Sequence, residues 1–241
     1  MHDVSLQVGA GEILGIAGVS GNGQQELLAA LSGEDRRAAA EMLQLCGQNV
    51  GQRGPDARRA LGQSFVPEER LGRGAVPEMS LTDNMLLSHH QPPFVQRGLI
   101  RAAATVAAAS AILQRFKVKA PGPQALARSL SGGNLQKFIL GREITRQPKV
   151  LVVAQPTWGV DVGAAAQIHE EIRQLRDQGC AVLVISEELD ELFTLCDRLY
   201  VIAKGRMSPP VSTADVTREQ IGLWMSGLWQ QDQAQNGGQH V

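Results

Sequence analysis

The chain has 241 residues, 43% hydrophobic and 20% charged, enough to bury the core of one α/β domain with a smaller lobe. Its 23 lysines and arginines stand against 24 acids, and no long basic run is present, which argues against a nucleic-acid partner. The three cysteines, Cys46, Cys180 and Cys196, fit reduced core thiols better than a disulfide framework or a zinc site, and no leader or stretch of about 18 apolar residues marks export or a membrane span, so any membrane link runs through a partner.

In chain order, "EILGIAGV" from Glu12 reads as a buried strand, rich in branched apolar residues and ended by glycine. A glycine-rich turn comes next, and then "QQELLAALSG", a helix with Leu27, Leu28 and Leu31 on one side and Gly33 as its stop. From about Glu78 to Arg146 strand-like runs are absent. The alanine-rich "RAAATVAAASAILQRF" there predicts a mostly helical lobe inserted into the core. "KVLVVA", "AVLVIS" and "RLYVIA" are three further strands. Between the first two, Ile168, Ile172 and Leu175 recur at helical spacing, with Gly179 as a C-terminal cap. Strand, helix, strand predicts a parallel sheet. The organisation expected is a first part of the core over 1–77, a helical subdomain over 78–146, a second part of the core over 147–228, and a polar, disordered tail over 229–241.

The turn "GVSGNGQQEL" has the form of a phosphate-binding loop opening a helix, with Gly18, Gly21, Asn22 and Gly23 in place. Gln24 stands where lysine belongs and Gln25 where the magnesium-binding hydroxyl belongs. Backbone N–H groups and the helix N-terminus still attract phosphate, but the fixed positive charge is gone.

Further along, "ARSLSGGNLQKFILGREI" carries "LSGGN" followed by "LQK". This resembles the signature motif of ABC-type ATPases, in the form found in ATP-binding subunits of importers for simple sugars and nucleosides. "FVPEERLGRG" resembles that family's loop facing the membrane partner, with Glu68 at a position usually held by glutamine. "PKVLVVAQPTWGVDVG" resembles the Walker B strand and the dimer-contact loop, which holds Asp161, and "VLVISEELDEL" resembles the switch region. The resemblance covers nearly the whole chain before the tail and is closest to the second, C-terminal nucleotide-binding half of tandem subunits. It implies a P-loop NTPase fold of ABC type, with a mainly parallel core and an inserted helical subdomain. It also implies that Ser131, Gly132, Gly133 and Asn134 present donors at a helix N-terminus to the γ-phosphate of ATP held by an opposite domain.

Set against that pattern, each departure falls on catalysis. Ala154 replaces the aspartate that orients hydrated magnesium, Gln155 replaces the general base, and Glu187 stands where a switch histidine contacts the γ-phosphate. Glu187 reads equally as a solvated carboxylate. A positioned base contributes about 10²–10⁴ in rate, and no acid is left for that role. The expectation is a degenerate Walker site with no intact catalytic residue. The family's adenine-stacking aromatic lies upstream of the phosphate loop by more residues than this sequence provides, which suggests that Met1 opens within a longer tandem protein. His89 and His90 read as solvated loop residues, and Trp158, where the family often has arginine, lines a dimer contact or is simply half-buried.

Together these features imply an importer component that uses ATP, with magnesium in the composite site of a partner domain. Its expected partners are a second nucleotide-binding domain, membrane permease subunits and, indirectly, an extracytoplasmic binding protein. Its expected place is peripheral, at the cytoplasmic face of the membrane. The alternatives are a self-sufficient ATP hydrolase energising transport and a soluble ABC protein outside transport.

Overall fold

Runs that are apolar through their centres suit strands covered on both faces, and that is where these four lie. A computed structural model describes residues 4–229. β1 (Ile13–Ala17) leads through residues 18–23 into α1 (Gln24–Ser32), followed by the short strands β2 (Gln44–Leu45) and β3 (Gln48–Asn49), α2 (Pro55–Ala60) and β4 (Gln63–Val66). The lobe holds α3 (Leu81–Leu86), β5 (Val95–Gln96), β6 (Leu99–Ile100), α4 (Ala102–Arg115) and α5 (Gly132–Ile144). The chain returns to the core with β7 (Val150–Ala154), α6 (Val162–Asp177), β8 (Ala181–Ser186), α7 (Leu189–Leu195) and β9 (Arg198–Ala203). After these come β10 (Arg206–Met207), β11 (Val211–Ser212) and α8 (Arg218–Met225).

The strands form a seven-stranded sheet in the order β10-β9-β1-β8-β7-β4, with β11 added to β9. β9, β1, β8, β7 and β4 run parallel, while β10 and β11 pair antiparallel with β9. Alternate residues divide between the two faces. Leu14, Ile16, Val152, Leu183 and Ile185 pack under Leu27 and Leu28 of α1. Ile13, Leu151, Val153, Val182 and Val184 pack on the other side with Phe138, Ile168, Ile172 and Leu192. Each such side chain contributes roughly 1.5–3 kcal/mol by leaving water. Gly33 and Gly179 close their helices at φ of 86° and 91°, a conformation that side chains disfavour.

Several expectations need correction. β4 is a fifth parallel strand, hidden in the sequence because its first residues, Gln63 and Ser64, are polar. Both are nonetheless buried and donate to the carbonyls of Leu31 and Glu143 at 2.8 and 3.2 Å. The lobe is not free of strands, since β5 and β6 form a hairpin around Arg97 and Gly98, both at positive φ. Cys46 is not a core residue. It sits exposed on the β2–β3 turn with Gly47, at φ of 48° and 76°. Cys180 and Cys196 are buried, and burial pushes the Cys180 thiol up to about 12. His89 is half-buried rather than solvated, its ring edge-on to Phe94 at 5.3 Å, and burial holds its imidazole down to about 4. His90 is exposed. Trp229 is buried, and the rest of the expected disordered tail lies outside the described residues.

Lobe and core are joined by a buried ion cluster. Glu143 of α5, fully buried, accepts from Arg59 of α2 at 2.8 Å and from Arg142 at 3.0 Å, and Arg142 also donates to the carbonyls of Asn84 and Gly74. Burial works to raise the Glu143 carboxyl, but Arg142 and Arg59 outweigh it and hold the group at about 2.

Candidate functional site

Because the five central strands are parallel, their C-terminal ends share one edge of the sheet, where ligand crevices of open α/β folds lie. The register sets Ala17 of β1 beside Ser186 of β8, and Ala154 of β7 beside Ile185. The phosphate loop, Gln155, Glu187 and the loop carrying Glu68 after β4 therefore emerge together.

The loop's backbone has the form expected of an anion cradle, with Gly21 at φ 85° and Gly23 at φ 113°. Its interior is filled by Gln24. The carboxamide nitrogen donates to the Val19 carbonyl at 2.7 Å, and its oxygen accepts from the Asn22 N–H at 3.0 Å. A Cβ on Gly18 would come within 2.7 Å of that amide nitrogen and of the Ile202 carbonyl, so only glycine fits there. The Asn22 side chain donates to the same Val19 carbonyl at 2.8 Å and accepts from the backbone N–H of Lys204. Gln24 is buried and Gln25 exposed.

Around the loop, Ala154 at the end of β7 is a buried methyl group. The Gln155 carboxamide oxygen accepts from the Ser186 hydroxyl at 3.2 Å and the Glu187 N–H at 3.4 Å, and its backbone is at φ 48°. Glu187 is exposed. It lies close enough to Glu68 for the two charges to interact: burial, then Glu187 and Glu69, hold the Glu68 carboxyl above its ordinary range. Two carboxylates thus face this edge, although the position of the general base itself holds the Gln155 carboxamide. They stand beside a loop whose helix opens with Gln24 and Gln25. Like charges there oppose phosphate. At this edge one backbone donor of the loop is engaged by Gln24, and the charge that Glu68 and Glu187 add is negative.

The signature segment is arranged differently. Ser131 caps α5 with extended backbone, but its side chain accepts from no backbone N–H of the first turn. Its hydroxyl instead accepts from Asn134 at 2.9 Å, and the Asn134 oxygen accepts from the Lys119 N–H at 2.8 Å. The first turn's N–H groups stay open, and Ser131 and Gly132 are exposed. A Cβ on Gly133 would meet the Gly159 carbonyl at 3.3 Å and Val160 at 3.5 Å, so the segment leans on the loop after β7. No hydrogen bond joins residues 131–134 to residues 18–25. In the loop after β7, Asp161 caps α6 by accepting from the Ala164 N–H at 3.0 Å. Trp158 and Val162 project outward, 57% and 88% exposed. The 13-residue helix α5 and its open donors fit an anion; they form a face distinct from the phosphate loop.

A parallel sheet with a glycine-rich cradle after β1, a lobe ending in "LSGGN" and a capped loop after β7 is the architecture of an ATP-binding cassette. Residues 1–158 match the family model described as ABC transporter, and the chain belongs to that family. It is 38% identical over 239 residues to the guanosine import ATP-binding protein NupO of Bacillus subtilis, covering 99% of this chain and 47% of that protein. It is 40% identical over 225 residues to the nucleoside import ATP-binding protein NupA of Lactococcus lactis, covering 93% and 44% respectively. The ribose import ATP-binding protein RbsA 1 of Rubrobacter xylanophilus matches at 36% over 228 residues, 94% of this chain and 46% of that one. The chain thus spans about half the length of these curated relatives. Its fold matches the ATP-binding cassette MJ0796, solved as a dimer in a post-hydrolysis state with ADP and Pi. The TM-score is 0.74 at 19% identity, over 87% of this chain and 89% of that one.

Proposed function

We propose that this chain is a nucleotide-binding domain of an ABC importer for nucleosides or simple sugars, corresponding to the second half of a tandem subunit. Its own Walker site is degenerate, and its signature completes the ATP site of a partner cassette. The observation that carries the reading is the contrast in backbone donors: the Asn22 N–H is engaged by Gln24, whereas those at the start of α5 are open and exposed.

In this reading Ser131, Gly132, Gly133 and Asn134 receive the γ-phosphate of ATP bound to the opposite domain, and the lysine, magnesium ligands and base belong to that domain. Trp158, Asp161 and Val162 lie in the contact between cassettes. The loop from Glu68 faces a membrane permease, next to a cavity of about 110 Å³ lined by Arg59, Phe65, Pro67 and Arg73. No helix among the described residues is long and apolar enough to cross a membrane; in this reading the chain attaches through the permease, at its cytoplasmic face. An extracytoplasmic binding protein acts through the same permease.

The test pairs this chain with a catalytically complete first cassette. The chain alone is expected to show no ATPase above background at saturating Mg-ATP. In the pair, Ser131→Ala and Gly132→Asp are expected to cost about 10²–10³ in rate, as removing a preorganised donor does elsewhere, while changes at Gln24 and Gln25 have little effect. The reverse pattern would make the phosphate loop the working site and the chain a self-sufficient hydrolase.

A further inference from the structure

Arg70 lies between three segments that the proposed function treats separately: the permease-facing loop, the signature helix and the dimer-contact loop. Its Nε donates to the Gln136 side chain of α5 at 3.1 Å, and its Nη2 donates to the Trp158 carbonyl. Gln136, almost fully buried, then donates to the Pro156 carbonyl at 3.2 Å. Two glycines make room for the guanidinium. A Cβ on Gly132 would come within 2.6 Å of Nη1, and one on Gly159 would stand 3.6 Å from both terminal nitrogens. No carboxylate pairs with Arg70 among the described residues. Its partners are an amide and a carbonyl, so what it supplies is the planar fork that reaches two acceptors at once, a geometry lysine cannot reproduce.

We propose that Arg70 and Gln136 form a latch that fixes the signature segment to the dimer-contact loop, so that both faces offered to a partner cassette move as one body with the permease-facing loop. Arg70 is thus a positioning residue for the composite ATP site, and the inference rests on the signature's proposed role at that site. A lobe tilted relative to the loop after β7 would misplace donors that act only when aimed at the transferring phosphate.

The experiment uses the full chain paired with a complete first cassette and measures steady-state ATPase for Arg70→Met, Arg70→Lys, Gln136→Met and the double variant Arg70→Met/Gln136→Met, with Ser131→Ala as reference. Arg70→Met is expected to lower kcat about tenfold, the scale of one charge-assisted hydrogen bond, with KM for ATP unchanged because the partner's Walker site sets it. Arg70→Lys is expected to lose as much as Arg70→Met, with the melting temperature of the chain preserved. The double variant is expected to cost little more than either single one, the mark of a shared unit. Full activity in Arg70→Lys would mean that charge rather than the bridge matters, and additive losses would mean two unrelated contacts; either overturns the latch. If Ser131→Ala lowers kcat and Arg70→Met does not, the latch fails and the functional reading stands. If Ser131→Ala has no effect, the functional reading itself fails.

Discussion

The phosphate loop and the start of α5 are both glycine-bearing turns that open a helix, and they differ in where their donors go. In the loop, the Gln24 carboxamide takes the Asn22 N–H and the Val19 carbonyl, and Glu68 and Glu187 face the same edge. At α5, Ser131 turns its hydroxyl to Asn134 and leaves the first turn open, with Arg70 behind it. The two helix N-termini thus differ in which of their donors are already satisfied and in the charge around them. Neighbouring side chains set both, by satisfying the donors and by the sign of the charge they add.

The contrast breaks most completely if the lobe is detached from the core. Glu143 is fully buried between Arg59 and Arg142, so Glu143→Leu leaves two guanidiniums without their anion. It should cost about 3–5 kcal/mol of stability, read as a fall in the chemical-denaturation midpoint. The loss should remove the signature's contribution to paired ATPase before it disturbs the sheet. Because the folded carboxyl sits at about 2, below its ordinary 4.5, its contribution is present above pH 4.5 and is lost as pH falls towards 2. The pH dependence of wild-type melting should show that acid limb, and Glu143→Leu should flatten it.

A smaller effect sharpens the electrostatic half of the comparison. Burial raises the Glu68 carboxyl first and Glu187 adds to it, so Glu187→Gln should lower the Glu68 titration without returning it to the ordinary value. Side-chain carboxyl chemical shifts followed against pH check this. An unchanged Glu68 midpoint would mean that the two carboxylates do not face the same edge.

Much of the fold and part of the site are legible in the sequence, for reasons that particular residues make plain. The four apolar runs are covered on both faces and carry polar residues only at their ends, and Ile168, Ile172 and Leu175 fall on the buried stripe of α6. "LSGGN" and "GNGQ" are local patterns that each open a helix, at Gly132 after Ser131 and at Gln24 after Gly23. β4 is hidden because its buried Gln63 and Ser64 find partners, Leu31 and Glu143, that are distant in sequence. Glu68 and Glu187 meet only because the strand order brings the loops after β4 and β8 to one edge. Arg70 reaches Trp158 across 88 positions, and no spacing rule reveals such a contact. Cys46 escapes notice because a Cys-Gly turn at positive φ lacks the asparagine or aspartate that usually marks one.

The smallest effect bears most directly on the loop. Gln24→Ala removes the 2.7 and 3.0 Å hydrogen bonds that close the cradle and frees the Asn22 N–H. Exchanging such neutral bonds for water costs about 0.5–1.5 kcal/mol, so the chain should remain folded with a slightly lower melting temperature. A fluorescent ATP analogue should then bind this variant a few-fold more tightly than it binds the wild type, because one backbone donor is returned to the nest while the acids stay. Gln24→Lys should raise binding further, since a charge-assisted contact exceeds a neutral one. Neither variant should hydrolyse ATP: Ala154 still offers no metal ligand, and the Gln155 carboxamide cannot accept a proton from water as a carboxylate would. If Gln24→Ala binds no better than the wild type, Gln24 is not what closes the loop, and the opposition to phosphate lies with Glu68 and Glu187. Adding Glu187→Gln to Gln24→Ala separates these two causes, because only electrostatic exclusion would then show a gain that fades as salt is raised.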